Sequence, residues 1–232
     1  MVRKLFRTLG LALLLLVALF VAYQAYVALK LCWWVDHPPT STAFMNARLK
    51  AMREKNPVAE LKYQWINYDK ISSNLKRAII VAEDANFVDH EGFDWESIQK
   101  AMEKNQKKGK VVAGGSTISQ QLAKNLFLSG ERSFLRKGEE ALITLMMEAI
   151  LDKERIFEIY LNVVEWGDGV FGAEAAAQHY YGVPANRLSR EQGAKLAAML
   201  PRPRFYDRNR NTPWLLRKTQ IILQRMPAAD VP

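Results

Sequence analysis

Two short stretches of this chain set side chains capable of chemistry at close spacing. The first is Glu83-Asp84-Ala85-Asn86-Phe87-Val88-Asp89-His90-Glu91-Gly92, which places an acid pair where an apolar segment (Leu75, Ala78, Ile79, Val81, Ala82) runs out. Read as a helix, that segment delivers Glu83 and Asp84 at its C-terminal end, where the dipole carries partial negative charge. That field and the adjacent Asp84 both disfavour ionisation, so a carboxyl pKa should rise toward the range that suits a general base near neutrality. A pair of solvated end-of-helix acids fits the same residues, and on this stretch alone both readings stand.

The second stretch begins Gly114-Gly115-Ser116-Thr117 and runs to Asn125. Ser116 or Thr117 can cap a helix, and the glycine pair frees the backbone to approach a ligand closely. With successive residues about 100° apart on a helix, Thr117, Gln120, Gln121, Lys124 and Asn125 fall within roughly 140° of one another. Ile118, Leu122, Ala123, Leu126 and Phe127 cover the other side. Two glutamines, an asparagine and a lysine suit sugar hydroxyls, N-acetyl groups and phosphate oxygens. An ordinary amphipathic helix explains the periodicity equally well but gives no reason for three amides. The glycine-lysine signature of a nucleotide-phosphate loop is missing.

A third segment, Arg136-Lys137-Gly138-Glu139-Glu140, opens a helix that is apolar nearly all round from Ala141 to Leu151. Lys137, Glu140, Thr144 and Glu148 nevertheless recur at spacings of three and four. Ionisable groups on a buried helix must be paired or face a cleft, because unpaired burial costs several kcal/mol, as an order of magnitude. An Arg136–Glu140 surface pair is the plainer alternative.

Taken in order, the first two stretches resemble the signature motifs of glycosyltransferase family 51, enzymes that polymerise lipid-linked disaccharide into peptidoglycan glycan strands. Arg136 to Glu140 resembles the family's third motif, and Lys153-Glu154-Arg155-Ile156-Phe157-Glu158-Ile159-Tyr160-Leu161-Asn162 its fourth, which reads as structural. Gly167, Gly169, Gly172, Ala175 to Ala177 and Tyr180-Tyr181-Gly182 follow in the family's order, as does Leu196 to Pro203. Phe205-Tyr206-Asp207-Arg208 lacks the proline often found there, which leaves the C-terminal edge less well matched. The resemblance spans about residues 36 to 226. It implies a monofunctional biosynthetic enzyme; Ser73-Asn74-Leu75-Lys76 matches a transpeptidase serine motif by chance, without the accompanying Lys-Thr-Gly.

By that resemblance Glu83 is the catalytic base and Glu140 the second acidic residue of the site. Asp84, Phe87, Gly115, Ser116, Thr117, Gln120, Gln121, Lys124 and Asn125 are the implied substrate contacts, with Arg132, Arg136 and Lys137 near the leaving group. The substrates implied are lipid II and the growing glycan chain, with wall-synthesis or cell-division proteins as protein partners. A lipid pyrophosphate leaves without an enzyme acid but needs positive charge to stabilise it. One base with Lys124, Arg132, Arg136 and Lys137 is therefore chemically sufficient, with room for a divalent cation, Mg2+ or Mn2+, and no organic cofactor. A lytic hydrolase would instead need two carboxyls flanking a glycosidic bond. That enzyme, and a non-catalytic wall-synthesis scaffold, are the alternatives.

These residues need an architecture to hold them. The 232 residues suffice for one sizeable domain and an appendage. Thr8 to Leu29 carries no charged side chain. Its 22 residues make a helix of about 33 Å, enough to cross a hydrocarbon core. Arg3, Lys4 and Arg7 precede it, which keeps the N-terminus cytoplasmic. Tyr23, Tyr26, Lys30, Trp33 and Trp34 form an interfacial belt that argues for a retained anchor over a cleaved signal peptide.

The expected organisation is a cytoplasmic tail over 1–7, a transmembrane helix over 8–29, a stiff proline-containing linker over 30–40 and a catalytic domain over 41–232. That domain would lie outside the cytoplasmic (inner) membrane. Cys32 is the only cysteine, which excludes an intrachain disulfide, and the three histidines lack zinc-ligand spacing. The net charge of +9 suits membrane lipid and pyrophosphate, with nucleic acid not expected as a partner. The basic run Lys104, Lys107, Lys108 and Lys110 fits a solvated loop equally well.

Periodicity predicts helices over 41–54, 73–85, 94–104, 116–127, 133–151, 153–161, 171–180, 189–199 and 213–225. Strand signals are confined to short pieces at 64–68 and 111–112. The fold class is mainly α, a lysozyme-like helical glycosyltransferase domain preceded by one transmembrane helix.

Overall fold

Eleven α-helices are present among the described residues of the computed structural model, which are 2–110, 114–131 and 133–232. Helix α1 (Val2–Trp33) is followed by α2 (Ala43–Arg53), α3 (Ser73–Glu83), α4 (Trp95–Lys108), α5 (Ile118–Phe127) and α6 (Phe134–Ile150). Then come α7 (Lys153–Val163), α8 (Ala173–Tyr181), α9 (Arg190–Met199), α10 (Pro203–Arg208) and α11 (Pro213–Arg225). The nine helices expected outside the anchor are all found, most within two residues of the expected ends. Helix α4 runs four residues further, to Lys108, before Gly109 ends it in the left-handed conformation. Helix α10 was not expected; Pro203 at its first turn starts it.

The small sheet was also largely missed. Strand β1 (Lys62–Tyr63) lies parallel to β3 (Val170–Phe171), and β2 (Glu165–Gly167) pairs antiparallel with β3 across an irregularity. Two- and three-residue strands leave too little alternation to read from sequence. The expected extended piece at 111–112 lies outside the described residues.

The core is built where α3 and α11 pack on α9, and where α5 packs on α6 and α7. Helix α7 is buried from Ile156 to Val163, and it puts Phe157, Tyr160 and Asn162 at the centre. Asn162 is satisfied there: its side chain accepts from the Ile66 N–H and donates to the Ile66 and Glu158 carbonyls, all at 2.9 Å. The fourth sequence stretch is therefore structural, as expected.

Helix α1 is long and apolar enough to cross a membrane. It does not end at Leu29 but continues to Trp33, and its last turns dock on the domain against α6. Val27 and Leu31 are fully buried and Trp34 nearly so, its ring 5.4 Å from that of Phe127. Arg155 then donates to the carbonyls of Trp34 at 2.7 Å and His37 at 2.8 Å, and the Tyr63 hydroxyl donates to that of Pro39 at 2.8 Å. The segment expected to separate anchor from domain instead fastens one to the other.

Candidate active site

Glu83 is the last residue of α3, and the chain turns there because Asp84 leaves helical geometry at φ −161°, ψ 81°. The Asp84 carboxylate then joins the first two sequence stretches. Its Oδ2 accepts the Ile118 N–H at the start of α5 at 2.9 Å, and both oxygens lie 3.1 Å from His90 Nε2. A carboxylate at a helix N-terminus gains from the exposed N–H groups and the dipole together. A second tie comes from Thr117, which caps α5 and donates its hydroxyl to the Gly92 carbonyl at 2.7 Å. Gly92 sits at φ +86°, and a Cβ there would lie 2.8 Å from Thr144 Cγ2 on α6, so only glycine fits.

The Glu83 carboxyl points the other way. Gln121 Nε2 donates to its Oε2 at 2.9 Å, while the Tyr160 hydroxyl donates to Gln121 Oε1 at 3.2 Å and fixes the amide's orientation. Burial pushes the Glu83 pKa up, opposed by the Gln121 hydrogen bond and the charge of Lys218, with a further upward push from Asp84 and a downward one from Lys124. The residue retains some exposure although its carboxyl is strongly desolvated. The raised pKa was expected from the helix end and Asp84; the leading cause is burial, which the sequence does not reveal.

One hollow is lined by Glu83 and another by its partner Gln121. The first, of about 150 Å³, is lined by Glu83, Asp94, Ser97, Gly114, Gly115 and Ser116. Gly115 passes so close to α4 that a Cβ would stand 3.0 Å from Ile98 Cα. The second, of about 190 Å³, is lined by Phe44, Gln121, Lys124, Asn125, Glu165 and Arg204 among others. Lys124 stands with Glu140, Arg136, Lys137 and Glu83 around it, and burial lowers its pKa against the pull of the two acids. Glu140 is buried and accepts from Arg136 Nη1 at 2.7 Å and from Lys137 Nζ. The polar line along α6 is thus paired, as its burial requires: Thr144 donates to the Glu140 carbonyl, and Glu148 accepts from Lys153 and Ser119.

Several expected substrate contacts have other work. Phe87 is fully buried against Phe157, with Lys153 Nζ 4.6 Å from its ring centroid, so it offers a ligand no surface. Gln120 is turned inward, its Oε1 accepting the Thr117 N–H at 3.1 Å in a capping box. Thr117 and Asp84 are engaged in the ties just described, and both also line the first hollow. Gln121, Lys124 and Asn125 do line a hollow, as do Gly115 and Ser116. Arg132 lies outside the described residues. Phe44, Glu165, Arg204 and Lys218 were not foreseen; they come from α2, β2, α10 and α11, and no motif marked them.

A match to the transglycosylase family covers residues 50–227. The chain belongs to that family. Among its relatives, the biosynthetic peptidoglycan transglycosylase of Dechloromonas aromatica is 64% identical over 228 residues, 97% of this chain and 98% of that protein. The protein of that name from Janthinobacterium sp. (strain Marseille) is 64% identical over 216 residues, covering 93% and 94% of the two chains. That from Azoarcus sp. is 55% identical over 230 residues, 99% of each. The transglycosylase match includes the first hollow, all of the second but Phe44, and every described side chain expected in the site.

Among the described residues no three His, Cys, Asp or Glu side chains converge, and the acid beside Glu83 has its oxygens occupied by His90 and Ile118. A hard divalent cation takes six or more oxygen ligands.

Proposed function

We propose that the chain polymerises lipid II into β-1,4 glycan strands for the bacterial cell wall, releasing undecaprenyl pyrophosphate. The observation that carries this reading is the Glu83 carboxyl: desolvated, held by a single amide hydrogen bond and facing a hollow beside a group of cations. Glu83 takes the proton from the acceptor 4-hydroxyl as that oxygen attacks the donor's anomeric carbon. The bond to the pyrophosphate breaks with its electron pair going to the leaving oxygen, and an α-linked donor gives a β-linked product. Lys124, Arg132, Arg136 and Lys137 stabilise the departing charge. Glu140 orients Arg136 and Lys137. With both oxygens engaged by cations, it is poorly suited to be the proton donor a hydrolase would need. Any divalent cation would come with the pyrophosphate.

The relatives, matched over nearly their whole length, are named for transglycosylation alone, which supports a reaction without transpeptidation. The residues before the apolar stretch, Arg3, Lys4 and Arg7, favour a cytoplasmic N-terminus and a catalytic domain on the outer face of the inner membrane. Wall-synthesis or cell-division proteins are the natural partners there. Incubating the purified chain with lipid II and sizing the products tests the reading. Disaccharide-length fragments cut from preformed glycan would favour the hydrolase, and an inert protein the scaffold.

A further inference from the structure

Among the described residues, and Glu83 apart, buried carboxylates in this fold are each held by two or more partners. Glu158 accepts from the Tyr68 N–H at 2.7 Å and from Arg155, and Glu174 from the Ala185 N–H at 2.8 Å and Gln178 at 2.9 Å. Asp84 and Glu140 are engaged as described. Glu165, on β2, is different. Its Oε1 is 3.3 Å from Arg48 Nε, yet neither atom has a hydrogen-bond partner, and its Oε2 is 3.8 Å from Arg204 Nε. Burial raises its pKa in spite of both guanidiniums and a hydrogen bond from the Gly169 N–H. Oε1 is closed off from solvent beside Arg48, which leaves Oε2, with Arg204 Nε 3.8 Å away, as the oxygen that a ligand's donors can reach.

The carboxylate is held on a paired strand, opposite Phe171, and it lines the second hollow. Across from it α5 presents Gln121, Lys124 and Asn125, and the Lys124 ammonium lies 5.6 Å from the Phe44 ring centroid. Lys124 and Arg204 in the same hollow can meet phosphate oxygens, whereas a carboxylate repels them. It attracts O–H and N–H donors, which the hydroxyls and acetamido groups of an amino sugar carry. Amides, an aromatic ring and one anionic acceptor are together a wall for such a sugar.

We propose that Glu165 is a substrate-binding residue whose carboxylate accepts hydrogen bonds from hydroxyl or acetamido N–H groups of an N-acetylated sugar in the second hollow. The proposal rests on the glycan-polymerising reading and adds to it a contact that none of the four sequence stretches contains.

The test is steady-state polymerisation of lipid II by the full chain in detergent, comparing wild type with Glu165→Gln and Glu165→Asp, together with their melting temperatures. Glu165→Gln should lower kcat/KM by roughly 10- to 100-fold, carried mainly by KM. Glu165→Asp should recover part of the loss. Wild-type kcat and KM in Glu165→Gln, or a loss matched by unfolding in both variants with full activity per folded molecule, overturns the assignment. If wild type makes no polymer, the functional reading fails instead. Saturation-transfer NMR with N-acetylglucosaminyl-N-acetylmuramic acid then still reads the hollow, and equal transfer to wild type and Glu165→Gln overturns the contact.

Discussion

Gln121 donates to the Glu83 carboxyl at 2.9 Å. This is the strongest influence opposing the rise in the Glu83 pKa that burial imposes. Gln121→Ala should therefore raise that pKa further and move the acid limb of the rate profile to higher pH. A hydrogen bond to a charged group is worth about 1.5–3 kcal/mol, so kcat/KM at neutral pH should fall roughly 10- to 100-fold. An unchanged acid limb in Gln121→Ala would separate this amide from the base.

Glu83→Gln should abolish polymerisation while leaving the protein folded. Loss of general-base catalysis costs roughly 100- to 10,000-fold. The same change should stabilise the chain. Because the folded-state pKa of Glu83 is raised, stability is lost as pH climbs from the unfolded-state value through the folded one, a loss that the uncharged amide escapes. Each unit of elevation corresponds to about 1.4 kcal/mol. Melting curves should show Glu83→Gln above wild type at neutral pH, with the gap closing in acid. A folded Glu83→Gln protein that polymerises normally would refute the role.

How far the sequence reached is clear from these residues. The helices were legible because their apolar periodicity and caps are local: Thr117, Ser133, Asp152 and Ser189 each cap the helix that follows. The pairing of Glu83 with Gln121 was not legible, since it joins residues 38 apart. Burial of Phe87 and Gln120 was hidden for the same reason: an aromatic ring and an amide suit substrate and core alike. Glu165 and Lys218 reach the site from elements whose local sequence carries only packing signals. Motif spacing identified the stretches that build the site, and tertiary packing decided which side chains within them face it.

Lys124→Ala should damage turnover more than folding. Its ammonium is desolvated between two acids and two other cations, and burial already lowers its pKa. Removing it takes away a cation aimed at the pyrophosphate, worth about 1.5–3 kcal/mol per charge-assisted hydrogen bond. Arg132→Ala is expected to act in the same direction. A large fall in melting temperature, with full activity in the fraction that stays folded, would make either residue structural.

A stiff linker between anchor and domain would let a chain beginning near Asp36 fold on its own. The docking of Val27, Leu31 and Trp34 changes that expectation. Each buried side chain is worth about 1.5–3 kcal/mol, so losing all three removes a large share of an ordinary domain's stability. Truncation at Asp36 should produce an aggregating or low-melting protein, while a chain that starts near Tyr23 keeps these contacts and should melt close to the full chain. Equal melting of the two would show that the docked turns contribute little.

The start of α6 should lie in the membrane interface. Of the five apolar residues between the second and third stretches, Leu126 and Leu128 are buried and Phe127 packs against Trp34, but Phe134 and Leu135 are 98% and 88% exposed. Tyr23 lies close enough to Glu139 to interact electrostatically, while Trp34 meets Arg155 beyond the other end of α6. Helices α1 and α6 pack together, so the exposed start of α6 is carried by an element fastened to the apolar helix. Arg136 and Lys137 follow, and basic side chains near a bilayer surface gain from anionic lipid. A spin label at Phe134→Cys, in a full chain carrying Cys32→Ser and reconstituted into anionic liposomes, measures this depth. Relaxation by oxygen should exceed relaxation by a water-soluble nickel chelate. The reverse order would place the start of α6 in water and remove it as a membrane contact.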